Sequence, residues 1–152
     1  MILSFSVTDN ILCPQCKETG KIVPIKTLAT FVKETIKRDS IFLDDFYFCK
    51  TGDCKVVYFS KDRLLTQKDI NTEVGLKDNI FPSVICYCFG WTKEKISEEI
   101  DIYGKTNAIE DIKTKMSKVS CNCIMLNPSG NCCLNDIGKV ILELEQEKSK
   151  SI

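Results

Sequence analysis

Residues 46–60 read FYFCKTGDCKVVYFS. Two runs rich in aromatic and β-branched side chains, FYFC and KVVYFS, flank the polar segment KTGD, so the pattern predicts a β-hairpin. Gly52 is available for a positive φ at its tip. The hairpin carries Cys49 and Cys54, one on each side of the tip. Upstream, CPQC at 13–16 places Cys13 and Cys16 on one knuckle that Pro14 stiffens. Together they form a C-x2-C … C-x4-C set, which suits the tetrahedral thiolate coordination of zinc. A single rubredoxin-like iron is the competing occupant. Four protein ligands close the site, so its expected role is structural.

The bulk composition narrows the chemistry. The 152 residues contain 10 cysteines and no histidine. In a reducing compartment such cysteine usage indicates metal rather than disulfides. The missing histidine excludes Ser-His and Cys-His nucleophiles, Rieske-type clusters and histidine-containing zinc sites. Charge balances at 21 basic and 21 acidic side chains, so no excess points to nucleic acid or an anionic membrane. Lys17, Lys50 and Lys55 near the first cysteine set are offset by Glu18 and Asp53. No apolar run approaches membrane-span length, so no membrane insertion is expected. The start, MILSFSVTDN, lacks the basic and apolar regions of a signal peptide, so the expected location is cytoplasmic. No nucleotide-binding glycine motif occurs.

The other six cysteines fall after a cysteine-free stretch, as CYC at 86–88, CNC at 121–123 and CC at 132–133. This division predicts two metal centres and two subdomains, 1–80 and 81–152. The boundary falls after the polar stretch KDRLLTQKDINTEVGLKDN. The first subdomain is expected to be α+β, with one helix over TLATFVKETIK (27–37) beside the hairpin. The second is expected to be helical. Thr92 can cap a helix with Ile96, Ile100 and Tyr103 on one face, stopped by Gly104. Thr106 can cap a second, with Ile109, Ile112 and Met116 inward. A third follows Cys133, aligning Ile137, Ile141 and Leu144. Cys86 and Cys88 lie just before one helix start and Cys132 and Cys133 just before another. The free N–H groups and dipoles there favour anionic sulfur. Phe89 and Trp91 are expected to pack around this centre.

VICYCFGWTKEKISEEI, then a second helix and CNC, resembles the [2Fe–2S] domain of bacterioferritin-associated ferredoxin. With CPQC, FYFCKTGDCKVVYFS and NPSGNCCLND added, the stretch from Cys13 to Asp136 resembles the N-terminal domain of CopZ-type copper chaperones. That resemblance implies one zinc and one [2Fe–2S] cluster. It assigns Cys86 and Cys88 to the cluster and leaves Cys121, Cys123, Cys132 and Cys133 competing for the other two positions. Distance from Cys88 favours Cys121, the chaperone-like loop could equally use Cys123, and Cys133 is preferred to Cys132. Pro128 and Gly130 suit a tight turn that folds the loop over the cluster. The family continues into a heavy-metal-associated domain with an M-x-C-x-x-C copper motif, which these 152 residues do not contain.

The expected protein is therefore a small α+β metalloprotein performing one-electron transfer in support of copper handling, by Cu(II) reduction or copper delivery. Spare thiols are candidates for Cu(I). Its expected partners are a copper chaperone, a copper ATPase or a redox protein. The competing classes are a two-zinc adaptor without redox chemistry and a cluster-bearing subunit of an oxidoreductase.

Overall fold

The computed structural model describes residues 11–37, 44–120 and 122–150. Helices and strands mix as an α+β fold. Four short strands form an antiparallel sheet in the order β1 (Lys21–Ile22), β2 (Tyr47–Phe48), β3 (Val56–Phe59), β4 (Leu64–Thr66). The hairpin β2–β3 pairs Tyr47 with Phe59 and Phe48 with Tyr58. Because strand side chains alternate, these two pairs lie on opposite faces. Phe48 and Tyr58 face an apolar core with Leu28, Phe31, Val32, Val57 and Leu65. Tyr47 and Phe59 stack at 5.8 Å on the other face, beside Cys13, Cys49 and Cys54. The ladder slips at Val57, between Val56 and Tyr58. Such a bulge changes which residues share a face, and Val56 joins Phe59 over the thiols. Gly52 at the tip does not take a left-handed φ. Its small size is what matters, since a Cβ there would lie 2.6 Å from Asp78 Oδ1.

The single helix expected over 27–37 is two helices, α1 (Ile25–Phe31) and α2 (Glu34–Lys37). Val32 leaves the helix for an extended conformation and bridges Ile70. The Asn71 N–H donates to Phe31 O at 2.8 Å and the Lys33 N–H to Asp69 O at 3.0 Å. A distant strand-like segment thus captures groups that a continuous helix would have used. That segment belongs to the stretch read as a polar boundary, which in fact supplies β4 and a 3-10 turn at Gln67–Asp69.

Beyond it, β5 (Val84–Cys86) and β6 (Trp91–Thr92) make a second, two-stranded hairpin. Four helices follow: α3 (Lys93–Tyr103), α4 (Ala108–Lys118), α5 (Cys123–Leu126) and α6 (Leu134–Lys150). Thr92 caps α3, accepting the Lys95 N–H at 3.1 Å, and Gly104 ends it at φ +78°. For α4 the residue at the capping position is Asn107, whose side chain makes no capping bond; Thr106, one residue earlier, supplies it, its Oγ1 accepting the Ala108 N–H at 3.2 Å while donating to Glu99 Oε1 at 2.8 Å. Ile96, Ile100, Ile112, Ile137, Val140 and Leu144 form the helical core with Ile85 and Trp91. Tyr103, expected inward, is exposed, because the chain turns away at Gly104 before anything packs over it. Trp91 is buried, its Nε1–H donating to Asp111 Oδ2 at 2.8 Å and Lys95 Nζ 4.2 Å above its ring.

Candidate metal centres

Cys13, Cys16, Cys49 and Cys54 converge on one point. Their four Sγ atoms all lie within 4.8 Å of one another. Cys13 and Cys54 are 3.8 Å apart and Cys16 and Cys49 3.6 Å. Four sulfurs at about 2.3 Å from one ion have edges of about 3.8 Å, so the spacing is that of a tetrahedral thiolate site. Local backbone geometry produces it. In the knuckle the Lys17 N–H donates to Cys13 O and the Cys13 N–H to Glu18 O, both at 2.8 Å. Lys17 adopts φ +67°, a left-handed conformation that reverses the chain within one turn. At the hairpin tip the Cys54 N–H donates to Thr51 O at 3.2 Å, bringing Cys54 back beside Cys49.

The thiols resist simultaneous ionisation without a cation. Burial pushes Cys54 up to about 12 and raises Cys49 as well. Burial also opposes ionisation of Cys16, but hydrogen bonds from Thr51 Oγ1 and the Glu18 N–H outweigh it and lower Cys16 to about 7. One thiolate is tolerated, and Cys49 and Cys54 stay neutral until a cation offsets the mutual repulsion.

Five of the remaining six cysteines are described. Cys121 lies outside the described residues. Cys88 Sγ is 3.7 Å from Cys123 Sγ. Cys133 lies close enough to both Cys123 and Cys86 for their thiols to oppose its ionisation. The structure therefore brings Cys86, Cys88, Cys123 and Cys133 into one neighbourhood and leaves Cys132 exposed. Cys86 ends β5, and the Gly90 N–H returns to Cys86 O at 2.8 Å, curling CYCFG into a tight loop at φ +77° for Gly90. Cys123 begins α5, and Cys133 precedes α6, its carbonyl accepting the Ile137 N–H at 2.8 Å. The Asn122 N–H donates to Cys88 Sγ at 3.2 Å. A hydrogen bond from Cys133, aided by the N–H groups of Phe89, Cys88 and Trp91, lowers Cys86 to about 7 against the effect of burial. Burial pushes Cys88 up to about 12, and hydrogen bonds to Cys123 and Cys86 raise Cys133.

Sequence reasoning missed the polar groups that hold these centres. Thr51 Oγ1 bonds Cys16 Sγ at 3.3 Å. Lys77, buried, donates to Thr51 O at 2.8 Å, and Lys50 pairs with buried Asp136 at 3.2 Å. Only Thr51 carried a local signal, by its place inside the C-x4-C turn.

A knuckle and a hairpin tip presenting four buried or half-buried thiols define a zinc-binding protein with a closed all-cysteine site. Residues 10–71 match the family described as "Zinc binding domain". Over 122 residues the chain is 34% identical to the copper chaperone CopZ of Archaeoglobus fulgidus, covering 80% of this chain and 57% of that one. It thus spans a little over half the length of that relative. The X-ray structure of the Archaeoglobus fulgidus CopZ N-terminal domain is similar with a TM-score of 0.72 and 31% identity, covering 86% of this chain and 97% of that one. The chain belongs to the CopZ family, in the part that corresponds to the N-terminal domain. No helix among the described residues is long and apolar enough to cross a membrane.

Proposed function

We propose that this chain is a two-centre metal protein that supports copper handling: Cys13, Cys16, Cys49 and Cys54 hold a structural zinc, and Cys86, Cys88, Cys123 and Cys133 hold a [2Fe–2S] cluster. The observation that carries the second centre is the gathering of these four thiols, Cys88 Sγ 3.7 Å from Cys123 Sγ and Cys133 close to both Cys123 and Cys86. Its donor chemistry fits: the ligands are all thiols, and backbone N–H groups of Asn122, Phe89 and Trp91 point at two of the sulfurs. Such N–H groups stabilise an anionic iron–sulfur core and raise its potential. A cluster of this type supplies one-electron storage. The chain's own residues exclude water, with Cys86 and Cys133 buried beside Trp91, Ile85 and Ile137. Cu(II) is the substrate in this reading. It takes one electron, provided by an external one-electron donor, and leaves as Cu(I), the ion that thiolates bind best. The natural recipients are copper-handling proteins, a copper chaperone or a copper ATPase, as the relative's name suggests. The subdomain boundary near residue 80 and a cytoplasmic location belong to the same reading. In it the exposed Cys132 is not a cluster ligand.

Anaerobic purification followed by iron, sulfide and zinc analysis tests this. The expected result is two irons, two sulfides and one zinc per chain, with reduction of added Cu(II) after the iron centre is reduced. Zinc alone, without sulfide or colour, would overturn the redox reading in favour of a zinc adaptor. An intact iron centre that cycles without reducing Cu(II) would overturn the copper step alone.

A further inference from the structure

Each segment that carries a second-centre cysteine is tied to the zinc-binding half. Tyr87, between Cys86 and Cys88, accepts the Gly75 N–H on its hydroxyl at 2.8 Å and donates to Glu73 O at 3.3 Å. The loop after Cys123 is held twice. Thr27 Oγ1 of α1 donates to Ile124 O at 2.7 Å, and the hydroxyl of Tyr58, fully buried in β3, donates to Pro128 O. The first turn of α6, beside Cys133, is held by the Lys50–Asp136 pair. Lys50 itself follows the zinc ligand Cys49.

The segment 73–78 touches both centres. At one end Lys77 donates to Thr51 O, and the Asp78 N–H donates to Gly52 O at 2.8 Å, gripping the zinc hairpin tip. At the other end Gly75 holds Tyr87 and runs so close to β5 that a Cβ would lie 2.1 Å from Val84 O. Leu76 between them packs against both cores.

We infer that the zinc-binding half is the template on which the second thiol set is assembled, so that zinc occupancy controls the order of Cys86, Cys88, Cys123 and Cys133. Thr27, Tyr58 and Lys77 are its positioning residues. The inference rests on the two-centre reading only for the identity of the second metal, because the ties exist in the protein chain itself. With zinc bound, the hairpin tip is fixed and Lys50, Thr51 and Gly52 are held where Asp136, Lys77 and Asp78 meet them. Without zinc the tip opens: Lys77 and the Asp78 N–H lose their fixed acceptors, and Asp136 loses its fixed donor.

The test uses the full chain loaded with one equivalent of zinc and no iron, pulsed with iodoacetamide and read cysteine by cysteine by mass spectrometry. Thr27→Val and Tyr58→Phe combined keep shape and remove both hydroxyl ties to the Cys123 loop. The expected result is retained zinc, continued protection of Cys13, Cys16, Cys49 and Cys54, and alkylation of Cys123 faster by roughly twenty-five-fold, the product of two buried hydrogen bonds at about fivefold each. Lys77→Met is expected to expose Cys86 and Cys88 in the same selective way. Chelating zinc from the unaltered chain is expected to expose all four second-centre thiols. Unchanged rates at Cys123 in the double variant, with zinc retained, would overturn the inference. In the iron-loaded chain the double variant should also alter the visible circular dichroism of the centre, which reports ligand geometry rather than overall stability; an unaltered spectrum counts against the inference. A wild-type chain that takes up no iron or sulfide would overturn the cluster reading alone, leaving the alkylation rates to decide the coupling.

Discussion

Replacing Gly130 by Ala probes how firmly the Cys123 loop is seated on the zinc-binding half, and Gly104 provides an internal control. Both glycines sit in the left-handed region, at φ +73° and +78°. A side chain there costs about 1–2 kcal/mol at either position. The surroundings differ. At Gly104 an added Cβ meets nothing within 4 Å, whereas at Gly130 it would lie 2.7 Å from both Pro24 Cδ and Thr27 Oγ1. Neither neighbour yields easily, since Pro24 is a ring and Thr27 is fully buried and bonded to Ile124 O. Overpacking of this kind adds about 1–3 kcal/mol. The loop can relieve it only by lifting from α1, which gives up the Thr27–Ile124 bond. Gly130→Ala should therefore lose about 2–5 kcal/mol in urea unfolding of the zinc-loaded chain and Gly104→Ala only about 1–2 kcal/mol. The Gly130 variant should also expose Cys123 to alkylation, and the Gly104 variant should not. Equal losses, with Cys123 equally protected in both, would refute the claim that this loop is docked by close packing.

Other expectations follow from the same geometry. Thr92→Ala removes the cap that accepts the Lys95 N–H and should cost about 1 kcal/mol by denaturant midpoint, with zinc content unchanged. Zinc binding at neutral pH must displace protons at least from Cys54, pushed up to about 12, and from Cys49, also raised. Acidification should therefore weaken zinc by at least roughly a hundredfold per pH unit, measured by chelator competition, and a pH-independent affinity would contradict the thiol assignment. The Asp111 carboxyl is held below its usual range by hydrogen bonds from Lys115 and then from Trp91 Nε1. A depressed folded-state value gives stability that is complete above the unfolded value of about 3.9 and is lost as pH falls through the folded one. Asp111→Asn should flatten that acid limb in pH-dependent unfolding; an unchanged slope would remove Asp111 from the account.

What the sequence made legible was short-range. The hairpin around KTGD, the Thr92 cap and the Gly104 stop each depend on residues a few positions apart, and each forms as its local chemistry dictates. The zinc thiols were legible because spacing within each pair constrains where two sulfurs can meet. The break in the 27–37 helix was not, because its cause is Val32 pairing with Ile70, and helical periodicity carries no mark of a distant competitor. Nor was β4, whose three residues hide in a polar stretch and become a strand only because β3 is there to pair with.

The ties between the halves were illegible for a more general reason. Thr27, Tyr58 and Lys77 donate to the backbone carbonyls of Ile124, Pro128 and Thr51. Every residue has such a carbonyl, so nothing in the amino-acid sequence distinguishes an acceptor that receives a distant side chain from one that does not. A donor such as Tyr58 reads only as a β-former with a hydroxyl. Buried in β3, that hydroxyl must find an acceptor, and the turn NPSG supplies one by presenting Pro128 O toward the sheet. The turn that was legible for its proline and glycine thus has a second consequence, which only the fold reveals: it offers the carbonyl by which the zinc-binding half holds the loop of Cys123.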